Sequence, residues 1–251
     1  MKNCGLVILF ILLFGGINAQ TFLSHDLADN ELKGDVSRVK IFYYNVVTKF
    51  DTTKPGDLVK MEILEFNEKG LLTQEKSFSS DGNLTTKIKY FYDKNNSLKK
   101  MLYVDGNGDI TSTIKLNYLD SSNTLRVNMD IEVNGLYVDG YVNIIKSENL
   151  SSVGINALIL GENSISYFDS SENKKISYIF KNNWKLKKIE IVYYNNKNEK
   201  IRKKVYSKNL NIFDDITYKY EYDSKGNWIK RIKYHNEIPK EICKREIEYS
   251  D

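Results

Sequence analysis

The chain is poor in the residues that make disulfides, kinks and helices. Of its 251 residues only two are cysteine and two are proline. Cys4 lies in an N-terminal apolar stretch. Loss of that stretch leaves one thiol, Cys243, and no internal disulfide. One cysteine and two distant histidines, His25 and His235, offer no zinc spacing. Alanine is nearly absent beyond residue 19, and no long apolar stripe recurs every 3.6 residues, so a helical body is excluded. No apolar run reaches the roughly 20 residues that a membrane-spanning helix needs. The glycines are spread between apolar segments and do not gather ahead of a helix, which excludes a phosphate-cradling loop.

The abundant residues are strand formers. There are 18 Tyr and 11 Phe among many Ile and Val, types that suit a pleated, half-buried surface. The N-terminus reads as a secretory signal peptide over residues 1–19: Lys2, an apolar run over 6–14, then Gly15, Gly16 and Asn18-Ala19. A polar lead over 20–34 and a single β-repeat domain over 35–251 follow. An exported protein is expected, periplasmic, outer-surface or secreted. Its mature chain has no transmembrane segment, and nucleic acid is not expected as a partner.

A periodic frame fills that domain. An aromatic residue is followed four places on by a turn residue and six places on by an apolar one. Phe66/Gly70/Leu72, Phe78/Gly82/Leu84 and Tyr92/Asn96/Leu98 fit it. So do Phe180/Trp184/Leu186, Tyr206/Leu210/Ile212 and Tyr222/Gly226/Trp228. Val104/Gly108/Ile110 keeps the frame with an aliphatic start, and Phe168 and Tyr194 begin weaker copies. Starts alternate between 12 and 14 residues apart, which predicts a 26-residue repeat of paired hairpins. Gly or Asn at the turn place accepts a positive φ. Between turns, Ile88, Tyr90 and Tyr92 alternate with Lys87, Lys89 and Phe91, the period of a half-buried antiparallel strand. The prediction is an all-β protein whose repeated antiparallel hairpins form a long twisted meander or solenoid-like sheet. A strand is expected over 36–48. A turn at Lys54-Pro55-Gly56-Asp57 leads to another over 58–66. The frame lapses over about 126–166, where the middle reads as irregular.

Tyr222-Asp223-Ser224-Lys225-Gly226-Asn227-Trp228 resembles the core of the tyrosine-aspartate (YD) repeat of the Rhs family. Tyr92-Asp93 begins a second copy, with Asn96 in place of the glycine. Ser80-Asp81-Gly82-Asn83-Leu84 and Phe66-Asn67-Glu68-Lys69-Gly70-Leu71 are looser ones. The opening Leu32-Lys33-Gly34-Asp35-Val36 is similar to the start of small secreted YD-like proteins of the Bacteroidetes. The resemblance implies a β-sheet repeat. Sugar binding is loosely associated with such repeats. Too few copies are present to enclose a cargo, so toxin delivery does not carry over.

Reactive constellations are scarce. Ser24-His25-Asp26 has the letters of a hydrolase triad, but sequence neighbours in a polar lead lack its geometry. Asp105-Gly106-Asn107-Gly108-Asp109 looks like the start of a calcium loop. That loop needs Gly at its sixth place and Glu at its twelfth, whereas Ile110 and Leu116 stand there; a plain turn accounts for it. Acid pairs such as Asp214-Asp215 suit glycoside hydrolysis in principle and solvated turns as well. No catalytic residue, metal site or cofactor is assigned.

Charge divides the chain. From Lys174 onward there are 20 Lys or Arg against 11 Asp or Glu, and from Gln20 to Asn173 the balance is 16 against 22. A basic face including Lys185, Lys187, Lys188, Arg202, Lys203, Lys204, Lys230, Arg231 and Lys233 would attract polyanions. Alternatively, the same lysines pair with glutamates across strands. The expected function is a non-enzymatic interaction or structural module, with a protein or glycan of the cell envelope as partner. The second reading is a carbohydrate-binding module with Trp184 and Trp228 as platforms and Lys203, Lys204 and Arg231 as polar contacts. The third is a hydrolase whose site lies in the irregular middle.

Overall fold

The computed structural model describes residues 31–49, 52–120, 124–133, 136–145, 152–157, 162–169, 171–181 and 185–250. The signal segment and His25 lie outside them. Among the described residues there are sixteen strands and no helix. They are β1 (Val36–Lys49), β2 (Thr52–Phe66), β3 (Leu72–Ser79), β4 (Leu84–Tyr92), β5 (Leu98–Asp105), β6 (Ile110–Asp120), β7 (Thr124–Val133) and β8 (Leu136–Ile145). There follow β9 (Ser152–Ala157), β10 (Glu162–Asp169), β11 (Lys174–Lys181), β12 (Leu186–Tyr194), β13 (Lys200–Ser207), β14 (Ile212–Tyr222), β15 (Trp228–His235) and β16 (Ile238–Tyr249). The all-β reading holds.

The described residues form two compact units: a terminal unit from 31–113 and 216–250, and a central unit from 114–215. In the terminal unit, antiparallel neighbours run β14-β15-β16-β1-β2-β3-β4-β5. β1 therefore lies between β2 and β16, and the first and last strands of the chain are hydrogen-bonded partners. In the central unit the order is β7-β8-β9-β10-β11-β12-β13, again antiparallel. Among its described residues, the middle expected to be irregular holds the antiparallel strands β7 to β10.

The repeat frame is a hairpin with a bulge. In each copy the residue after the frame's start accepts from the N–H three places on, and its own N–H donates to the carbonyl four places on: Asn67, Ser79, Asp93, Asp105, Ser207 and Asp223 all do so. The turn place has positive φ at Gly70, Gly82, Asn96, Gly108, Leu210 and Gly226, and at Asn198 of the weaker copy begun by Tyr194; in the weaker copy begun by Phe168 the positive φ falls one place later, at Asn173. That geometry is a type I turn closed by a left-handed residue. The frame's first and seventh residues become cross-strand partners: Phe66 with Leu72, Phe78 with Leu84, Tyr92 with Leu98 and Tyr222 with Trp228. The aromatic–apolar spacing thus records contact across the hairpin.

Aspartate or asparagine after the aromatic caps the turn from within. Oδ1 of Asp93 accepts from the N–H groups of Asn95 and Ser97, and that of Asp105 from Asn107 and Asp109. Asn67 and Asp223 repeat the pattern. The calcium-like segment is therefore a turn whose leading carboxylate is occupied by its own backbone. Lys54-Pro55-Gly56-Asp57, expected as a turn, lies inside β2. The register against β1 shifts there, between Tyr44 and Val46, and a bulge tolerates proline in a strand. A Cβ at Gly56 would sit 2.2 Å from Asn45 Oδ1 and 2.9 Å from Val47 Cγ2, so any larger residue there must displace those side chains.

One face of the terminal sheet is the core. Val39, Leu64, Ile88 and Tyr103 are buried and follow one another across β1, β2, β4 and β5 by register, with Glu75 of β3 between Leu64 and Ile88. On the other face charges pair across strands: Arg38 with Glu65 and Glu248, and Lys76 with Glu65. Such exposed pairs are worth a few tenths of a kcal/mol to about 1 kcal/mol each and keep that face hydrated.

Candidate functional site

The residues that carry the YD resemblance meet the N-terminal lead. The turn after β14 presents Asp223, Asn227 and Trp228, and Lys33 and Glu31 of the lead bond to the last two. Asn227 is fully buried. Its Oδ1 accepts from the Lys33 N–H at 2.6 Å, and its Nδ2 donates to the Lys33 carbonyl at 2.9 Å and to Tyr249 Oη at 2.7 Å. The Tyr249 hydroxyl donates to Asp223 Oδ2 at 2.5 Å. Lost hydration works to raise the Asp223 pKa, but the Tyr249 hydroxyl and the turn's own N–H groups outweigh it and hold the carboxyl below its usual range. Lys225 Nζ sits 3.5 Å from the Tyr249 ring centroid. The motif's polar atoms are thus spent on the chain's own backbone.

Trp228 is 1% exposed. Its Nε1 donates to Glu31 Oε2 at 2.7 Å, the Arg245 guanidinium lies 3.5 Å over its ring, and Tyr220 tilts against it at 5.9 Å. It is not an exposed sugar platform; it is a strand-end core residue with its polar edge satisfied. Trp184 lies outside the described residues.

The basic residues do not share a face. Lys203 and Lys204 are adjacent in β13, so the strand's period of two sends them to opposite sides. Lys203 Nζ lies 2.7 Å from Glu190, which Lys188 also reaches at 2.6 Å, whereas Lys204 stands opposite Ile191 in the register. Arg231 belongs to the terminal unit. It faces Cys243 across β15–β16, lies 3.6 Å from Glu241 and 5.1 Å from the Trp228 ring. Arg202 and Asp215 form an ion pair, Nε to Oδ1 at 2.8 Å, and Lys230 pairs with Glu221 at 2.6 Å. Cross-strand pairing therefore absorbs much of the expected basic face.

A polar cluster on the core side of the terminal sheet escapes sequence reasoning. The Tyr43 hydroxyl donates to Glu62 Oε2 at 2.7 Å and Lys60 Nζ donates to Oε1 at 2.6 Å. On the next strand the Tyr90 hydroxyl donates to Glu75 Oε2 at 3.1 Å. Burial, then the Glu62 charge, push the Glu75 carboxyl up to about 7. Cys243 stands opposite Tyr43 and is fully buried; burial raises its thiol to about 11. Burial likewise pushes Arg245 down to about 10. Only the inward half of each alternating strand shows this cluster, and which half is inward depends on strands far away in sequence. Among the described residues, no group of three or more His, Cys, Asp and Glu is arranged to hold a metal ion.

No family model matches the chain, and no curated protein matches it. Among solved structures, it is similar to a porin-like protein from Bacteroides uniformis at 10% identity, over 85% of this chain and 96% of that one, with a TM-score of 0.36. A porin-like protein from Bacteroides vulgatus matches at 9% identity, over 87% and 99%, with a TM-score of 0.38. A "putative outer membrane lipoprotein-sorting protein domain" from Vibrio parahaemolyticus matches at 8%, over 88% and 89%, with a TM-score of 0.26. None of these likenesses transfers a residue role to this chain.

Proposed function

We propose that the protein is an exported, non-enzymatic β-sheet module that works at the cell envelope through its surface. Export is supported by the signal-like segment over residues 1–19. The observation that carries the non-enzymatic reading is the commitment of the motif's reactive side chains to structure. Asp223, Asn227, Trp228 and Tyr249 hold the N-terminal lead, and Asp93 and Asp105 hold their own turns. Side chains held this way are oriented onto the chain's own groups and do not converge on an open site. Two measurements test the reading together. Fractionation of cells producing the tagged full chain should recover it with envelope or medium. Purified chain should leave panels of glycans and peptides unchanged. Turnover abolished by a single substitution, or retention of the full chain in the cytoplasm, overturns it.

A further inference from the structure

The two ends of the hairpins are not alike. At one end of the terminal unit the frame's seventh residue is buried: Leu72, Leu98 and Trp228. At the opposite end Ile110, which opens β6, and Ile238, which opens β16, are exposed. The central unit carries the same asymmetry to an extreme. Its β13–β14 turn has Leu210 at φ 64°, where Gly70, Gly82, Asn96, Gly108 and Gly226 stand in the equivalent turns. A leucine there costs roughly 1 kcal/mol or more in backbone strain, and its side chain gains no burial in return: Leu210 is 66% exposed, and Ile212 and Phe213 are each 52% exposed. At the same end of this unit, Leu136 and Tyr137 cap the β7–β8 hairpin and are more than 70% exposed. Five interstrand steps separate β8 from β13, roughly 24 Å at about 4.8 Å each. A small ligand does not bridge that span.

Charge identifies the occupant. Residues 174–215 hold twelve Lys or Arg against four Asp or Glu. None of the four acids is exposed, whereas Lys181, Lys185, Lys187 and Lys208, at the end that bears Leu210, all are. Ser207, which opens the β13–β14 turn, is the register partner of Lys188 in β12, so the lysines of the β11–β12 turn stand beside the apolar tip. An apolar tip ringed by cations matches an interface of acyl chains beneath anionic headgroups.

We infer that this end of the central unit docks on an anionic lipid surface, with Leu210, Ile212 and Phe213 entering the headgroup layer and the flanking lysines pairing with phosphate. The inference deepens the envelope reading and rests on it, yet its test is separate. Purified protein is sedimented with phosphatidylcholine vesicles, with and without phosphatidylglycerol, and compared with Leu210→Gly and Phe213→Ser. Glycine suits the positive φ, so Leu210→Gly keeps the fold, which far-ultraviolet circular dichroism verifies. The expected result is binding only to the phosphatidylglycerol vesicles, weakened by added salt and reduced about tenfold by each substitution. Absence of binding, equal binding to both vesicle types, or binding unchanged in both variants overturns the inference. The fractionation and turnover measurements judge the envelope reading independently.

Discussion

The side-chain amide of Asn227 and the backbone of Lys33, 194 residues away, hold each other reciprocally, the amide oxygen accepting at 2.6 Å and the amide nitrogen donating at 2.9 Å. Alanine at 227 leaves both Lys33 groups and the Tyr249 hydroxyl short of a partner in a part-buried place. Buried orphans cost about 1–3 kcal/mol each, and partial access of water to the lead limits the sum to roughly 3 kcal/mol. Asn227→Asp keeps the acceptor but sets a carboxylate oxygen against the Lys33 carbonyl, close to Asp223. At neutral pH it should lower the urea midpoint at least as far as alanine. Trp228 fluorescence follows the loss, because its indole bonds to Glu31 in the same clasp.

Cys243 is fully buried, with its thiol raised to about 11 by burial. Reaction needs both access and thiolate, and the native chain supplies neither at pH 8. Labelling by a disulfide reagent should be at least about a hundredfold slower in native protein than in urea. Comparable rates would place the thiol at the surface.

The hairpins are legible in the sequence because their cause is local. Turn place, capping carboxylate and aromatic start all lie within seven residues, and Asp223 caps in the way Asp93 and Asp105 do. What the sequence hides is non-local. The frame marks Trp228 as a strand-end aromatic that suits burial or a sugar platform alike, and the bond of its indole to Glu31, 197 residues away, has no local signature. The pairing of β1 with β16 brings Tyr43 opposite Cys243, a contact with no short-range signature. Pro55-Gly56 carries a turn's letters, yet the bulge opposite Asn45 takes them into a strand. Lys203 and Lys204 are the reverse case, since their divergence follows from strand period alone.

Left-handed turn places should respond to substitution by their φ. Gly82 has φ 85°, and a Cβ there meets nothing within 4 Å, so Gly82→Ala costs only backbone strain, about 1 kcal/mol. Leu210→Gly at the equivalent place relieves that strain, partly offset by the entropy of an added glycine, and should stabilise the chain by up to about 1 kcal/mol. Thermal midpoints of the two variants should therefore move in opposite directions. A fall in both would mean that the Leu210 side chain packs in the folded chain.

Glu75 makes stability depend on pH near neutrality. Its carboxyl is raised to about 7 by burial and the Glu62 charge, above the roughly 4.3 of an unfolded glutamate. Between those values the folded chain holds a proton that the unfolded chain has lost, so stability falls as pH rises through the window. It is fully present below about pH 4, is lost progressively up to about 7, and is level beyond. The shift corresponds to at most about 3.7 kcal/mol. The groups facing Glu75 are the Tyr90 hydroxyl, which donates to it, the Tyr103 hydroxyl and Glu62, with Lys60 opposing the rise. Glu75→Gln keeps an acceptor for Tyr90 and carries no charge at any pH. Its urea midpoint should exceed the parent's at pH 8 and draw level with it near pH 4. A parent whose midpoint is flat over that interval would overturn the prediction, and a glutamine variant with the parent's slope would assign the pH response to other carboxylates.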